Sequence, residues 1–530
     1  MFANKAKSFK SLAALRSVNV GVASQNKLFS TLSTHTRSPY KQFYSAANTT
    51  AAFNGNRSSV AENEVQRRRS YSTILPSAEQ PAIKKKKTLT LLGTGWGSTT
   101  ILKNLDTDKF DVVVVSPRNY FLFTPLLPSC TVGTTENRSI MEPIRHIVGR
   151  HGKNIRFYEA QCSDIDMAAK ELVLERSVDK DNGDSAATHA VTSTTRINYD
   201  YLVVGVGGTY NTFGTPGVQE HALFLKEMGD ASKIRRRLKD TIEKASFDSI
   251  SEQERSRLLH MVVVGGGPTG VEFAGELHDL IEEDLSKWVP ELAKQVKITL
   301  IEALPNVLPS FDKKLVTYTQ QMFKKNGIQL MTSTAVKEVK ESTLVVRDAN
   351  TGLETEIPYG TIVWAAGIRA REFAHTLRSK VPEIQNNGRG LIIDDYLRVK
   401  GTPNIWALGD CTVSKNAPLA QVASQQGKWL AKALNSMAKD EQQLEDAYSR
   451  IERSVKPFVY SSNGSLAYIG GERAIAEIPM FNKSITAGGP LASLFWKSYC
   501  LWELFSVRSS MSVATDWIKR SIFGRHISVD

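Results

Sequence analysis

The sequence predicts an α/β protein with two Rossmann-like units in tandem, and three observations lead to that reading. Two glycine-rich turns, GTGWGS from Gly93 and GGGPTG from Gly265, stand 172 residues apart (265 minus 93). Each follows a short apolar run of β type, near residues 88–92 and 261–264, and each leads into helix-compatible sequence. A third apolar run, 404–410, ends in Gly-Asp. Glycines at such a turn let the strand enter the helix sharply, so that backbone N–H groups and the helix N-terminus face a pyrophosphate with no Cβ in the way. One turn is a weak signal. Two with the correct flanks argue for two dinucleotides side by side, a flavin next to a nicotinamide.

The N-terminus is a separate matter. Of the formal charge of +13, residues 1–71 contribute +9, from eleven Lys/Arg against Glu62 and Glu64. Basic, Ser-rich and nearly free of acids, this stretch has the composition of a mitochondrial transit peptide, and the string from Arg69 to Ser72 fits a cleavage that leaves a mature start near Ser72. The remaining +4 forms no basic stripe, so nucleic acid is not an expected partner. Cys130, Cys162, Cys411 and Cys500 are too scattered for a disulfide framework or a zinc site, and no metal is expected. No run of 18 apolar residues offers a spanning helix, which leaves peripheral membrane contact, and no EF-hand loop is present.

Along the chain, strand 88–92, the turn at Gly93, Gly95, Gly97 and Ser98, a helix through Leu105 and strand 111–115 make the first unit. Residues 154–204 read as small antiparallel strands joined by an exposed polar loop, 177–196. Strand 201–205 precedes a charged helix, 227–246, whose Arg235, Arg236 and Arg237 suit a solvated face. The second unit starts at Met261, and its strand 296–301 ends in Glu302. The run 361–367, with Ala366 and Gly367, is expected to return the chain to the first unit. That places a nucleotide domain, 258–357, inside a flavin domain of residues 88–257 and 358–455, with a C-terminal region at 456–530.

In the second turn Gly265 permits the bend, Gly267 permits close approach to phosphate, and Gly270 lets helix pack on strand. A carboxylate at Glu302 can accept both ribose hydroxyls and repels a 2′-phosphate, which favours NADH over NADPH. Its distance from Gly270, 32 residues (302 minus 270), implies an extension of the intervening helix within 279–291. In the first turn Ser98 takes the third glycine position and Ser116, followed by Arg118, stands where a ribose-binding acid is usual. Asp410, after Gly409, can accept a bond from a flavin ribityl hydroxyl.

Taken together, GTGWGS, SPRNYFLFTPLLPS (116–129), GGGPTGVEFAGEL (265–277), IPYGTIVWAAG (357–367), IWALGDC (405–411) and LAQVASQQG (419–427) closely resemble the mitochondrial type II, or alternative, NADH:ubiquinone oxidoreductases of fungal type, over residues 88–525. The resemblance implies a two-dinucleotide-binding flavoprotein with non-covalent FAD and a C-terminal membrane-docking segment. It also implies oxidation of NADH and reduction of ubiquinone without proton pumping, by a peripheral protein of the inner mitochondrial membrane, with a homodimer as the expected assembly. By the same resemblance Glu272 stands near the flavin–nicotinamide contact. Gln421 and Gln425, four apart on one helical face, match the quinone-site pattern, where neutral amides suit a quinone carbonyl. Residues 491–525 interleave Phe495, Trp496, Leu501, Trp502, Phe505, Trp517, Ile518 and Phe523 with Lys497, Arg508, Lys519, Arg520 and Arg525, which suits an interfacial helix pair. At the position of the family's aromatic after Trp496 this chain has Cys500, with Tyr499 beside it.

Two other readings compete. A sulfide:quinone-type oxidoreductase needs reactive cysteines, of which only Cys411 after Asp410 offers a trace. A flavoprotein resembling apoptosis-inducing factor, acting through NADH-governed association, has no use for the glutamine helix or the amphipathic tail.

Overall fold

The computed structural model describes residues 86–151, 155–178, 190–439, 446–480 and 483–526. The transit-peptide segment, 1–71, and its cleavage motif lie outside the described residues. The chain begins with β1 (Lys87–Leu92), α1 (Trp96–Asn104), β2 (Phe110–Ser116), β3 (Ile155–Glu159), β4 (Gln161–Asp166), β5 (Glu171–Val178), β6 (Ala190–Asn198) and β7 (Tyr201–Val204). It continues through β8 (Leu223–Phe224), α2 (Met228–Ala245), β9 (His260–Val264), α3 (Pro268–Leu280), β10 (Lys297–Ile301), β11 (Gln329–Met331), β12 (Thr361–Trp364), β13 (Ile405–Ala407) and α4 (Ala420–Lys439). The C-terminal region contributes β14 (Ser465–Gly470), β15 (Arg473–Met480), β16 (Lys483–Gly489), α5 (Pro490–Glu503) and α6 (Val507–Phe523).

Two parallel sheets carry the fold. The first has the order β13-β7-β1-β2-β3, the second β8-β12-β9-β10-β11. Central strands buried on both faces read as unbroken apolar runs, as Val112–Val115 and Met261–Val264 do. In each sheet the first strand of the unit has later strands on both sides, so the glycine turn leaving its carboxyl end opens at a topological switch point, where ligands of such sheets bind. β14, β15 and β16 form an antiparallel sheet, and α3 and α5 both touch it.

Four expectations need correction. β3 is not part of the small antiparallel sheet. It pairs parallel with β2, from Val112 with Ile155 to Ser116 with Glu159, and only β4, β5 and β6 are antiparallel. The expected loop 177–196 is strand at both ends, since β5 reaches Val178 and β6 starts at Ala190; residues 179–189 lie outside the described residues. The run expected to return to the flavin domain does not do so at once: β12 pairs with β9, Met261 with Thr361 through Val264 with Trp364, and β8 joins beyond it. The proposed nucleotide domain therefore runs past residue 357, to the end of β12, and draws Leu223–Phe224 from the earlier segment. Finally, Arg235 is no solvated arginine: its side chain is only 10% exposed, turned toward Glu136 at 3.6 Å.

The tail forms two helices, as expected. Leu491 (84% exposed), Leu494, Trp502 (73%), Val507, Met511, Ile518, Ile522 and Phe523 present an apolar surface to solvent. The expected interleaving holds only in part. Trp496 is buried and stacks on Tyr468 at 5.3 Å, Phe505 packs against Phe121, and Arg520 and Arg525 turn inward to carboxylates. No helix among the described residues is long and apolar enough to cross a membrane.

Candidate active site

A cavity of about 1250 Å³ opens at the carboxyl end of the first sheet. Gly93 (φ +97°) and Gly265 (φ +116°) hold left-handed backbone that favours glycine, and a Cβ on either would also collide with the neighbouring chain, at Gly205 and at Ala365–Ala366. Gly95 and Gly267, each the residue before its helix, face open space with no atom within 4 Å of a would-be Cβ. That free space beside a helix N-terminus is what a pyrophosphate needs. Gly270 packs on the Gly265 carbonyl and Gly97 on the Leu408 side chain, so both close helix to sheet. Ser98 is buried below Gly205, its hydroxyl without a partner, which fits the packing role of the glycine it replaces.

Around the first turn the polar groups brace each other. Ser116 Oγ lies 3.1 Å from Thr94 Oγ1 and accepts from the Arg118 N–H at 3.1 Å, so it fixes the loop that runs beside the turn. Arg118 Nη1 bonds Glu227 at 2.7 Å while its buried Nε has no partner. Asp410 pairs with Lys226 Nζ at 3.2 Å, and Gln426 accepts from the Gly409 N–H at 2.8 Å, fixing the Gly-Asp turn from behind. Lys226, Glu227 and Gln426 had no sequence signal: a charged residue before a helix reads as a cap, which Glu227 also is, and Gln426 sits off the face of the glutamine pair.

At the second turn Glu302 is pinned at the end of β10, accepting from the Gly266 N–H at 2.5 Å and the Leu304 N–H at 2.8 Å. The helix extension that its spacing implied is present. α3 runs into a π-helical turn, Ile281–Leu285, followed by short helices through Ala293. Ala366 and Gly367 lie just beyond β12, and the Gly367 carbonyl accepts from the Asn211 N–H at 3.3 Å.

Helix α3, which leaves the second turn, reaches the cavity of the first. Its first residues, Pro268, Thr269 and Glu272, line the cavity together with Gly93, Gly95, Gly97, Ser116, Arg118, Gly409, Asp410, Gln421 and Gln425, whereas Gly265, Gly267, Gly270, Glu302, Ala366 and Gly367 stay outside its lining. Glu272 is 8% exposed and accepts only a long bond, 3.3 Å, from the Tyr468 N–H. Burial, reinforced by the neighbouring Glu276, pushes its carboxyl up to about 8.

Gln421 and Gln425 line the cavity, but their amides already have partners. Gln421 Nε2 donates to the Gly464 carbonyl at 2.8 Å and its oxygen accepts from Tyr460 Oη and the Asn463 N–H. Gln425 exchanges two bonds with the Ser461 backbone, and Trp429, four residues further, donates to the Lys456 carbonyl at 3.0 Å. The pair thus clasps strap 456–464, with one amide hydrogen left on each residue. Trp496, Tyr499 and Cys500 of α5 complete the wall. All four cysteines are buried and unpaired; Cys411 donates into the core, to the Leu408 and Val204 carbonyls, and burial pushes it up to about 12. No thiolate is presented to the cavity by it.

One switch-point glycine turn in the cavity wall, and a second whose helix α3 reaches that wall, define a pyridine-nucleotide flavoenzyme fold, and the model for the pyridine nucleotide-disulphide oxidoreductases matches residues 87–427. The NDH2 C-terminal domain matches 463–526. The chain is 46% identical to the external alternative NADH-ubiquinone oxidoreductase of Yarrowia lipolytica, over 87% of this chain and 84% of that protein. It is also 46% identical to the external NADH-ubiquinone oxidoreductase 2 of Saccharomyces cerevisiae, over 84% and 83%. The structure of NDH2 from Plasmodium falciparum in complex with NADH superposes with a TM-score of 0.75 at 28% identity, covering 84% of this chain and all of that one. The chain belongs to the mitochondrial alternative NADH-ubiquinone oxidoreductases. A sulfide:quinone oxidoreductase from Aquifex aeolicus, at 18% identity and TM-score 0.60, shares the fold alone.

Proposed function

We propose that this chain oxidises NADH and reduces ubiquinone through bound FAD, without pumping protons, as a peripheral protein of the mitochondrial inner membrane. The observation that carries the reading is the single cavity in which the first glycine turn, the Gly-Asp turn, the start of α3 and the glutamine pair meet α5. The residues present fit FAD: Gly95 leaves the helix end open to a pyrophosphate, and Arg118 Nε is buried without a partner. Bound there, FAD supplies the two-electron chemistry that links a hydride donor to a quinone. The protein's own part is alignment and exclusion of water.

In this proposal Gly93, Gly95, Gly97, Ser98, Ser116, Arg118, Gly409 and Asp410 hold FAD, with Lys226 orienting Asp410. Gly265, Gly267, Gly270, Ala366, Gly367 and Glu302 hold NADH, Glu302 by its ribose. Glu272 offers a proton-bearing carboxyl at the junction, where a charged one would oppose the approach of an apolar ring. Gln421 and Gln425 keep the cavity wall in place through the strap and present one N–H each to a quinone carbonyl. The exposed apolar surface of α5 and α6 lies on the membrane. The external naming of both fungal relatives supports the intermembrane-space side. A homodimer rests on resemblance, and sedimentation in detergent decides it.

The test is an assay of full-length, vesicle-bound protein with NADH, NADPH and a short-chain ubiquinone. Quinone reduction with strong NADH preference is the expected result, and sulfide-driven reduction or a protein without flavin would overturn the proposal.

A further inference from the structure

Helix α3 buries a ladder of carboxylates: Glu272, Glu276 and Asp279, and Asp284 follows in the π-turn. Their surroundings differ. Asp279 accepts from Tyr468 Oη at 2.6 Å and the Gly471 N–H at 2.7 Å, and Asp284 takes Arg525 Nη1 at 2.7 Å. Glu276 accepts one hydroxyl on each oxygen, Ser129 at 2.6 Å and Thr134 at 2.6 Å. Arg525, whose side chain is fully buried, donates from Nε to Thr134 Oγ1 at 3.0 Å. Since that lone pair is occupied, the Thr134 hydrogen is directed at Glu276; burial pushes this carboxyl up, and Arg525, Ser129 and Thr134 oppose that push by favouring its ionised form. Glu272, one turn away on the same face, has no hydroxyl and no cation.

The groups around each acid are limited. Glu272 meets Glu276 on its own helix, Tyr468 from β14, through its backbone N–H, and Cys500 from α5. Glu276 meets Asp279 on its own helix, Ser129, Cys130 and Thr134 from the segment before it, Tyr468 from β14, and Arg520 and Arg525 from the chain end. Every cation in the set sits on the Glu276 side.

We propose that Glu276 is a positioning residue for the reaction: its charge, favoured by Ser129, Thr134 and Arg525, adds to burial in holding the proton on Glu272 at the junction of the two nucleotide sites. Burial pushes both carboxyls up, but the groups that favour the charged form, Arg525, Ser129 and Thr134, stand only at Glu276, and the charge they favour there adds to the burial that keeps Glu272 neutral. The inference rests on the reading of Glu272 as the acid at that junction.

The experiment uses FAD-loaded, full-length protein. The infrared band of the protonated Glu272 carboxyl is titrated against pH as the difference between each protein and its Glu272→Gln counterpart. The pH dependence of flavin bleaching by NADH is followed in parallel. Removing a like charge favours ionisation, so Glu276→Gln is expected to lower the midpoint by about one pH unit, roughly tenfold in proton affinity. Glu276→Asp, which retains the charge, keeps it high. Thr134→Val, which keeps the acid but removes its hydroxyl, moves the midpoint the same way by less, and serves if Glu276→Gln does not fold. An unmoved midpoint in a flavin-loaded Glu276→Gln or Thr134→Val protein overturns the coupling alone. A bleaching profile unchanged in Glu272→Gln overturns the Glu272 reading, and the coupling with it.

Discussion

Replacing Glu302 by Gln should narrow the preference for NADH over NADPH at least tenfold. The carboxylate accepts from the Gly266 N–H at 2.5 Å and the Leu304 N–H at 2.8 Å, one on each oxygen. An amide keeps one acceptor and turns the other into a donor facing an N–H, which leaves a backbone group unpaired at about 1–3 kcal/mol. That cost falls on the turn and therefore on both nucleotides alike. The charge-assisted bond to the ribose is lost for NADH only, about 1.5–3 kcal/mol, or roughly 10- to 150-fold in kcat/KM. Repulsion of a 2′-phosphate is relieved for NADPH only. The ratio of the two kcat/KM values cancels the shared loss and isolates the ribose effect. An unchanged ratio, whatever the fall in activity, would refute the assignment of Glu302 to the ribose.

Other outcomes are expected from the same structure. Gly270→Ala drives a methyl into the Gly265 carbonyl, so it should destabilise the protein by about 1–3 kcal/mol and abolish the thermal shift on adding NADH, both read by melting with and without nucleotide. Glu272 carries a carboxyl raised from 4.5 to about 8; the folded state holds its proton more tightly, so this contribution to stability is complete below pH 4.5 and is lost as pH rises toward 8. Melting temperature should fall across that window in the wild type and fall less in Glu272→Gln. On α5 and α6, Trp502→Glu combined with Ile522→Glu removes two exposed apolar side chains, each contributing about 1.5–3 kcal/mol when buried, and should weaken vesicle binding at least tenfold in a flotation assay while NADH-driven flavin bleaching persists.

Local features were the legible ones. A glycine turn between strand and helix is required by the backbone at that point, so the order of residues alone locates both fingerprints, Ser98 in its packing role and Glu302 at its strand end. The excess spacing before Glu302 likewise foretells the extension of α3. Pairings across the chain were not legible. The run 361–364 announces a buried strand, but nothing in it says which of two parallel sheets receives it, and it entered the second. Gln421 and Gln425 suggested a quinone, yet their bonds go to a strap some 36–43 residues later. Arg525 looked like the polar side of an interfacial helix. It is buried because Glu283 and Asp284, brought round by the π-turn, and Thr134 wait for it. Lys226 and Asp410, 184 residues apart, could only be joined in three dimensions.

The central claim is that one cavity passes electrons from NADH to a quinone. Anaerobic titration of the purified full-length protein addresses it most directly, with the flavin absorbance as readout. One equivalent of NADH should bleach the flavin and one equivalent of a short-chain ubiquinone should restore it, with NADPH far slower in the first step. A flavin that NADH bleaches but ubiquinone leaves unrestored would contradict the account.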